Sequence, residues 1–204
     1  MTSQVLAETR PPRRKAPAFA TRPNGWWGML LFVATESSLF AVLIATYFYL
    51  RFESITWPPH GIDKPKILLP VLLTAVLAST SVPMALAERA IKYGRRRALE
   101  LWLLLALVLG TGYLFLQLLQ FHKDLDKFSP QDNAYASIYY TLTGAHAAHV
   151  AAGLLFNLWI QIGAWRGAYR PERYAAVQVT ALYWHFVNAL AVAVLATAYL
   201  SPSL

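Results

Sequence analysis

The stretch WWGMLLFVATESSLFAVLIATYFYLRF, from Trp26 to Phe52, is almost entirely apolar. From its first residue to Leu50 the only charged side chain is that of Glu36, and about 20 apolar residues suffice for a helix to cross about 30 Å of hydrocarbon. Trp and Tyr are typical of the membrane–water interfaces, and here they stand at both ends, at Trp26, Trp27, Tyr47 and Tyr49. The stretch therefore predicts a transmembrane helix anchored at both interfaces.

Four further apolar stretches of similar length follow it. Hydrophobic residues make up 57% of the 204 residues and charged residues 14%, and the charges lie in short clusters between the apolar stretches. The predicted spans run over residues 26–50, 67–91, 98–121, 135–163 and 175–201. We therefore predict an all-α polytopic membrane protein, with a polar basic tail over 1–24 and one five-helix domain over 25–201. We expect the first span to be retained, because it is too long for a signal peptide and lacks a small-residue cleavage site.

The formal net charge of +8 follows the predicted topology. Thirteen Lys and Arg residues lie before the first span, between the second and third spans, or between the fourth and fifth spans. Only five lie in the loops on the opposite side of the membrane. By the positive-inside rule, the N-terminus is predicted to be cytoplasmic and the C-terminus periplasmic. Because topology accounts for the basic charge, we expect no nucleic-acid partner. Cysteine is absent, which excludes disulfides and thiolate metal ligands.

The second span carries a proline near its middle. Pro83 has no N–H for the helical hydrogen bond, so a local kink is predicted. The hydroxyls of Ser79, Thr80 and Ser81 are close enough in sequence to satisfy the freed carbonyl.

Four titratable residues lie near the middle of the predicted spans. At about 1.5 Å per residue, Glu36 and His185 lie roughly 15 and 16 Å from the cytoplasmic interface, and His146 and His149 lie roughly 16 and 21 Å from the opposite one. Such groups cost at least a few kcal/mol each in hydrocarbon and by default mark partners, relays or bound ligands. All four share one layer, so three helices could direct them to one place.

Glu36 admits two interpretations. It is either a structural carboxyl, protonated and hydrogen-bonded to a neighbouring helix, or a titrating site on a proton path or at a lipid or partner interface. The cost of its position favours a functional role.

The histidines also leave alternatives open. His146 and His149, three residues apart, could bind a metal with Glu36 or His185 completing the shell, but the chain has no HExxH motif and no cysteine. Interhelical hydrogen bonding or a lipid pocket is the stronger interpretation for both. His185 and Asn188, beside Trp184, are either an interhelical hydrogen-bond pair or part of a functional cavity.

Three segments resemble one family in the right order. The first span resembles the helix of heme-copper oxidase subunit III that carries a membrane-buried glutamate, here Glu36. ASIYYTLTGAHAAHVAAGLLFNLW, residues 136–159, resembles that family's segment with Gly, His and His-Val, and ALYWHFVNALAVAVL, residues 181–195, resembles its WHFVD segment. The chain departs from the pattern at Asn188, where aspartate is usual, and at QLLQF, residues 117–121, where glutamate and tyrosine are usual.

The resemblance implies a fold, a complex and a role. The fold is a subunit III-like bundle with a V-shaped cleft, in the short five-helix bacterial form. The complex is a proton-pumping terminal oxidase of the bacterial inner membrane, in which the partners, subunits I and II, hold heme and copper and this chain holds no catalytic centre or metal. The implied role is to stabilise the catalytic subunit, its proton-uptake route and bound phospholipids. Glu36 would support proton uptake, and the core or lipid-contacting residues would be His146, His149, Trp184, His185 and Asn188.

Three other functions stay open at this stage. A subunit III-like accessory protein of a nitric oxide reductase would share the fold, and its catalytic partner would distinguish it. A small proton-coupled transporter would use Glu36 and the histidines as its relay, although five helices without inverted repeats speak against it. A membrane metalloenzyme would need a metal set that the sequence does not plainly provide.

Overall fold

The computed structural model describes residues 23–59, 62 and 67–203, and most of these residues are helical. The helices are α1 (Asn24–Glu53), α2 (Leu68–Ser79), α3 (Ser81–Lys92), α4 (Arg96–Leu125), α5 (Ala134–Trp165) and α6 (Ala175–Leu195), followed by a π-helical turn (Ala196–Leu200) and a 3-10 turn (Ser201–Ser203). Among the described residues, with α2 and α3 forming one span, five helices are long and apolar enough to cross a membrane. The predicted all-α fold with five spans is confirmed. The predicted basic tail lies almost entirely outside the described residues, and the orientation of the termini stays a prediction.

The second span is interrupted at Thr80, between α2 and α3. The Thr80 N–H donates to the carbonyl of Leu77 at 3.0 Å, three residues back rather than four, which tightens the turn before Pro83. The Ser79 and Thr80 hydroxyls donate to the carbonyls of Val76 and Leu77 at 2.6 and 2.5 Å. Both hydroxyls therefore bond to carbonyls in the turn before the break. The predicted bond from these two hydroxyls to the Ser79 carbonyl, which Pro83 leaves without a donor, is not formed.

Two short turns on the Arg-rich side reverse the chain after α3 and α5. Gly94 and Gly167 have φ values of 67° and 70°, in the left-handed region that favours glycine. After α3, the N–H of Arg95 donates to the carbonyl of Ala90 at 2.9 Å, the long bond of a Schellman motif. These turns make α3 and α4, and likewise α5 and α6, antiparallel neighbours.

Close packing continues in the turn that follows α5. A Cβ atom at Gly163 would lie 2.5 Å from the hydroxyl oxygen of Tyr169, so the absence of a side chain at Gly163 gives the Tyr169 ring its place against α5. Burial raises the pKa of the Tyr169 hydroxyl.

The last helix lies at the centre of the bundle. α6 packs against α1, α2, α3 and α5, while α4 packs against α2, α3 and α5. α1 packs against α5 and α6, and only Phe40 and Tyr47 of its 30 residues, all of them described, are buried. The core therefore surrounds α6, and α1 lies at the edge of the bundle with a broad apolar surface facing outward.

Candidate functional site

Glu36 and His149 meet between α1 and α5. The Glu36 Oε2 and His149 Nε2 atoms are 3.0 Å apart. The other ring nitrogen of His149, Nδ1, lies 2.7 Å from the carbonyl oxygen of Ala145 in the preceding turn of α5. A carbonyl oxygen only accepts hydrogen bonds, so Nδ1 is the atom that carries a hydrogen there.

This geometry determines the charge of the pair. With Nδ1 donating to Ala145, the contact between Nε2 and Oε2 needs one further proton, held by either atom. The pair is thus an imidazolium with a carboxylate or a neutral imidazole with a carboxylic acid, and both forms are electrically neutral overall. A neutral pair avoids much of the cost of an isolated charge in hydrocarbon, which explains how Glu36 is accommodated within a membrane span.

The pair is open to the outside of the bundle. The Glu36 and His149 side chains are 22% and 17% exposed, and the Phe40 ring covers one side of the imidazole with a centroid distance of 5.1 Å. The neighbouring hydroxyls of α1 do not shield the carboxyl, since Thr35 and Ser37 donate to backbone carbonyls of their own helix. The pair therefore lies at the outer surface of the bundle, between α1 and α5.

His146 lies on a different face of α5. It is buried, and within residues 23–59 and 67–203 neither of its ring nitrogens has a hydrogen-bond partner. Its nearest ring contact is Tyr113 of α4, with centroids 6.4 Å apart. The interhelical hydrogen bond that the sequence predicts for His146 is therefore absent among the described residues. His146 lies beside the Tyr113 ring of α4, whereas His149 pairs with Glu36 of α1.

His185 is also separate from the Glu36–His149 pair. It lies in a groove that it lines together with residues of α3, among them Glu88 and Arg89. The expectation that the four titratable residues share one place is thus wrong for His185. In the part of the chain that the structure describes, no group of three or more His, Cys, Asp or Glu side chains is arranged to hold a metal ion.

Trp184 and Asn188 connect α6 to the break in the second span. The Trp184 Nε1–H donates to the Thr80 hydroxyl oxygen at 2.8 Å, and the Asn188 amide donates to the Ser81 hydroxyl oxygen at 2.6 Å and to that of Thr80 at 3.3 Å. Trp184 is completely buried. These are interhelical hydrogen bonds of the kind that the sequence suggested for Asn188.

Two glycines give the Trp184 ring its space. A Cβ atom at Gly110 of α4 would lie 2.9 Å from the ring, and one at Gly153 of α5 would lie 2.8 Å from it. Real Cβ atoms essentially never approach this closely. Glycine at both positions lets α4 and α5 close around the indole, as small residues do at membrane helix interfaces.

A polar cluster at the far end of the bundle is not evident from the sequence alone. Asp124 accepts hydrogen bonds from Gln120 at 3.0 Å, Lys127 at 3.0 Å and Tyr139 at 3.1 Å, and the Tyr139 and Tyr199 hydroxyls are 2.9 Å apart. The predicted third span ends at residue 121, whereas α4 continues to Leu125. The spacing of Gln120, Asp124 and Lys127 would have revealed the cluster if the helix had been extended.

Asp124 of this cluster bears on the difference from the family pattern at residues 117–121. The resemblance places an acidic residue in the segment 117–121, where this chain has glutamines. Asp124, one turn beyond Gln120 and hydrogen-bonded to it, provides a buried carboxylate in the same half of the bundle.

Comparison with known proteins identifies the family. The family described as cytochrome c oxidase subunit III matches residues 18–201. The chain is 31% identical over 203 residues to cytochrome c oxidase subunit 3 of Bacillus sp. (strain PS3), covering 97% of this chain and 95% of that protein. It is 33% identical over 184 residues to the Bacillus subtilis protein of the same name, covering 87% and 86%. It is 28% identical over 182 residues to cytochrome bo(3) ubiquinol oxidase subunit 3 of Pseudomonas aeruginosa, covering 89% and 87%. The chain therefore belongs to the cytochrome c oxidase subunit III family.

Proposed function

We propose that this chain is the non-catalytic subunit III of a proton-pumping terminal oxidase in a bacterial inner membrane, where its partners, subunits I and II, carry heme and copper and reduce oxygen to water. Family membership makes it a subunit III of a terminal respiratory oxidase and so part of a multi-subunit complex. The five apolar helices make it a multi-pass membrane protein. Its own role in this proposal is to stabilise the catalytic subunit, the proton-uptake route and bound phospholipids.

The observation that carries the proposal is the Glu36–His149 pair at the surface between α1 and α5. A polar pair that faces outward at mid-membrane depth is costly in contact with acyl chains alone. Phe32 and Leu39, one turn before and after Glu36 on the same face of α1, are apolar and exposed. A partner surface against the Glu36–His149 pair would remove this cost, and we place the catalytic subunit there.

The protonation of the pair indicates how it supports proton uptake. The pair is neutral while it holds the one proton between Nε2 and Oε2, and gaining or losing a proton would create a net charge in hydrocarbon. In this proposal the neutral pair adds no net charge beside the proton route of the partner subunit. Glu36 and His149 are in this view supporting groups, and oxygen chemistry occurs in the partner subunits.

The first experiment is purification in mild detergent through a tag on this chain, followed by an absorption spectrum and mass spectrometry of the proteins that accompany it. We expect heme absorbance together with a large multi-helix oxidase subunit. A colourless chain that purifies alone from cells with an active oxidase would contradict the proposal. Nitric oxide reductase as the accompanying enzyme would replace it with the accessory-protein alternative.

The second experiment separates support of proton uptake from assembly. Glu36→Gln should leave the complex assembled and initially active, with oxygen consumption and proton pumping that decline during sustained turnover. Glu100→Gln is the matched control, because Glu100 pairs with Arg96 on α4, away from the Glu36–His149 pair. Loss of subunits from the Glu36 variant would make this residue structural, and undiminished pumping over prolonged turnover would remove its role in proton uptake.

A further inference from the structure

We propose that Tyr183 of α6 is a positioning residue for the Glu36–His149 pair and holds the two side chains at the separation that lets them share one proton. Its hydroxyl donates a hydrogen bond to the backbone carbonyl oxygen of His149 at 3.1 Å. Tyr183 is buried, and it lies on the helix that packs against both α1 and α5. Tyr183 therefore reaches from a third helix to the backbone of one member of the pair.

The hydrogen bond acts on the turn of α5 that carries the imidazole. In an α-helix the His149 carbonyl accepts the N–H of Gly153, four residues further on. A carbonyl oxygen has two lone pairs, so it can accept the Tyr183 hydroxyl as well. A Cβ atom at Gly153 would lie 3.3 Å from the Tyr183 ring, so glycine leaves the ring room to approach this turn. The bond restrains the backbone of His149 relative to α6.

The ring of Tyr183 also contacts aromatic residues on both helices of the pair. Its centroid is 6.1 Å from that of Phe32 in α1 and 5.3 Å from that of Phe156 in α5. Phe32 lies four residues before Glu36, and Phe156 lies seven residues after His149, so each shares a helix face with one member of the pair. Tyr183 thus contacts both of the helix faces that carry the pair.

The separation of the pair is the quantity that these contacts control. The proton between Nε2 and Oε2 depends on a short, straight contact, because a hydrogen bond weakens as it lengthens or bends. The imidazole is restrained from α5 by the Ala145 carbonyl and from α1 by the Phe40 ring, whereas Tyr183 restrains the backbone of His149 itself. Loss of the Tyr183 hydroxyl should therefore lengthen the contact between the two side chains.

The test observes the His149 imidazole in the full-length chain. The chain carries histidine labelled with a nitrogen isotope, it is reconstituted in phosphatidylcholine nanodiscs, and the magnetic resonance signal of His149 Nε2 is assigned by its loss in His149→Gln. Tyr183→Phe should move this signal towards its position in Glu36→Gln. Tyr140→Phe is the matched control, because that hydroxyl also donates to a backbone carbonyl, that of Phe128 at 2.9 Å. It should leave the His149 signal unchanged.

A second variant tests the contact with α1. Phe32→Leu removes the aromatic partner of Tyr183 and keeps an apolar side chain, so it should move the same signal, by less than Tyr183→Phe. Phe52→Leu is its control, because Phe52 is 82% exposed on the same helix. An unchanged His149 signal in Tyr183→Phe or in Phe32→Leu, or an equal change in either control, would overturn the inference. Should Tyr183→Phe fail to fold, the comparison of Phe32→Leu with Phe52→Leu decides.

The consequence for the assembled oxidase rests on the proposed function. There Tyr183→Phe should cause a decline of proton pumping during sustained turnover, smaller than that of Glu36→Gln. A shifted His149 signal with undiminished pumping in both variants would contradict the role of the pair in proton uptake and leave the positioning role of Tyr183 intact. The isolated chain therefore tests the inference, and the complex tests the proposed function.

Discussion

Two polar clusters at similar depth differ in how the bundle encloses them. Trp184, Thr80 and Asn188 are almost completely buried between α6 and the break in the second span. Glu36 and His149 are partly exposed between α1 and α5. The first cluster forms interhelical hydrogen bonds inside this chain, although the Asn188 Oδ1 atom has no partner among the described residues. The second cluster lies at the outer surface of the bundle. Polar side chains at similar depth are thus enclosed by neighbouring helices in one place and left partly exposed at the outer surface in another.

The two clusters differ in burial because of the way membrane helices associate. In lipid the hydrophobic effect does not drive one helix against another, so close packing and interhelical hydrogen bonds determine which helices form the core. α6 has small, aromatic and hydrogen-bonding residues on the faces that meet its neighbours, and 10 of its 21 residues are buried. α1 has a broad apolar surface and few such contacts, so it remains at the edge.

Removal of the Trp184 indole should have the largest effect on stability. Trp184→Ala opens a cavity between Gly110 and Gly153, and we expect the free energy of unfolding to fall by about 3–5 kcal/mol. Trp159→Ala is the control, because that indole is 62% exposed on α5 and its removal opens no internal cavity. Unfolding by SDS in mixed micelles measures both variants. Equal losses would mean that the buried cluster does not form the core.

Loss of the Thr80 hydroxyl should come next. Thr80→Val removes the acceptor of Trp184 Nε1–H and one acceptor of Asn188, and leaving such donors buried costs about 2 kcal/mol in all. Thr46→Val is the matched substitution on α1, where the hydroxyl is exposed and donates to the Val42 carbonyl of its own helix. Its free energy of unfolding should change little. A Thr80 variant as stable as the Thr46 variant would show that the hydrogen bonds to Trp184 contribute nothing.

Adding one methyl group to Gly153 tests how closely the helices pack around Trp184. Gly153→Ala places a Cβ atom 2.8 Å from the Trp184 ring, and we expect a loss of about 1–2 kcal/mol through overpacking. Gly112→Ala on α4 meets no heavy atom within 4 Å, and it should be neutral or slightly stabilising because alanine favours the helix. Thermal unfolding in detergent compares the two, and a stabilised Gly153 variant would disprove the close contact.

Substitution of Glu36, in the partly exposed Glu36–His149 pair, should have the smallest effect on the stability of the isolated chain. Glu36→Gln retains a hydrogen bond to His149, so the free energy of unfolding should change by less than about 1 kcal/mol. Asp124→Asn makes the same carboxylate-to-amide change in a buried cluster with three donors, and its loss should be larger. The reverse order in SDS unfolding would assign the Glu36 pair to folding and Asp124 to the surface.

The sequence predicted the architecture well and the site in part. The spans follow from hydropathy and length, because a bilayer admits only segments that satisfy their own backbone hydrogen bonds. The Glu36 carboxyl stands out in the sequence because a charged side chain is costly in hydrocarbon. The role of Asp124 was missed, because polar residues beyond the hydrocarbon region resemble a loop in composition even where the helix continues.

Hydropathy, length and three family-like segments are enough to predict a five-helix membrane protein of the subunit III family with titratable residues at mid-depth. Which of those residues meet follows from the tertiary structure, because it depends on how each helix is rotated about its axis and which neighbour it faces. His146 and His149 are three residues apart, yet one lies inside against α4 and the other pairs with Glu36 at the surface. Hydropathy determines the depth of a residue in the membrane, whereas packing around Trp184 and the glycines determines the direction in which its side chain points.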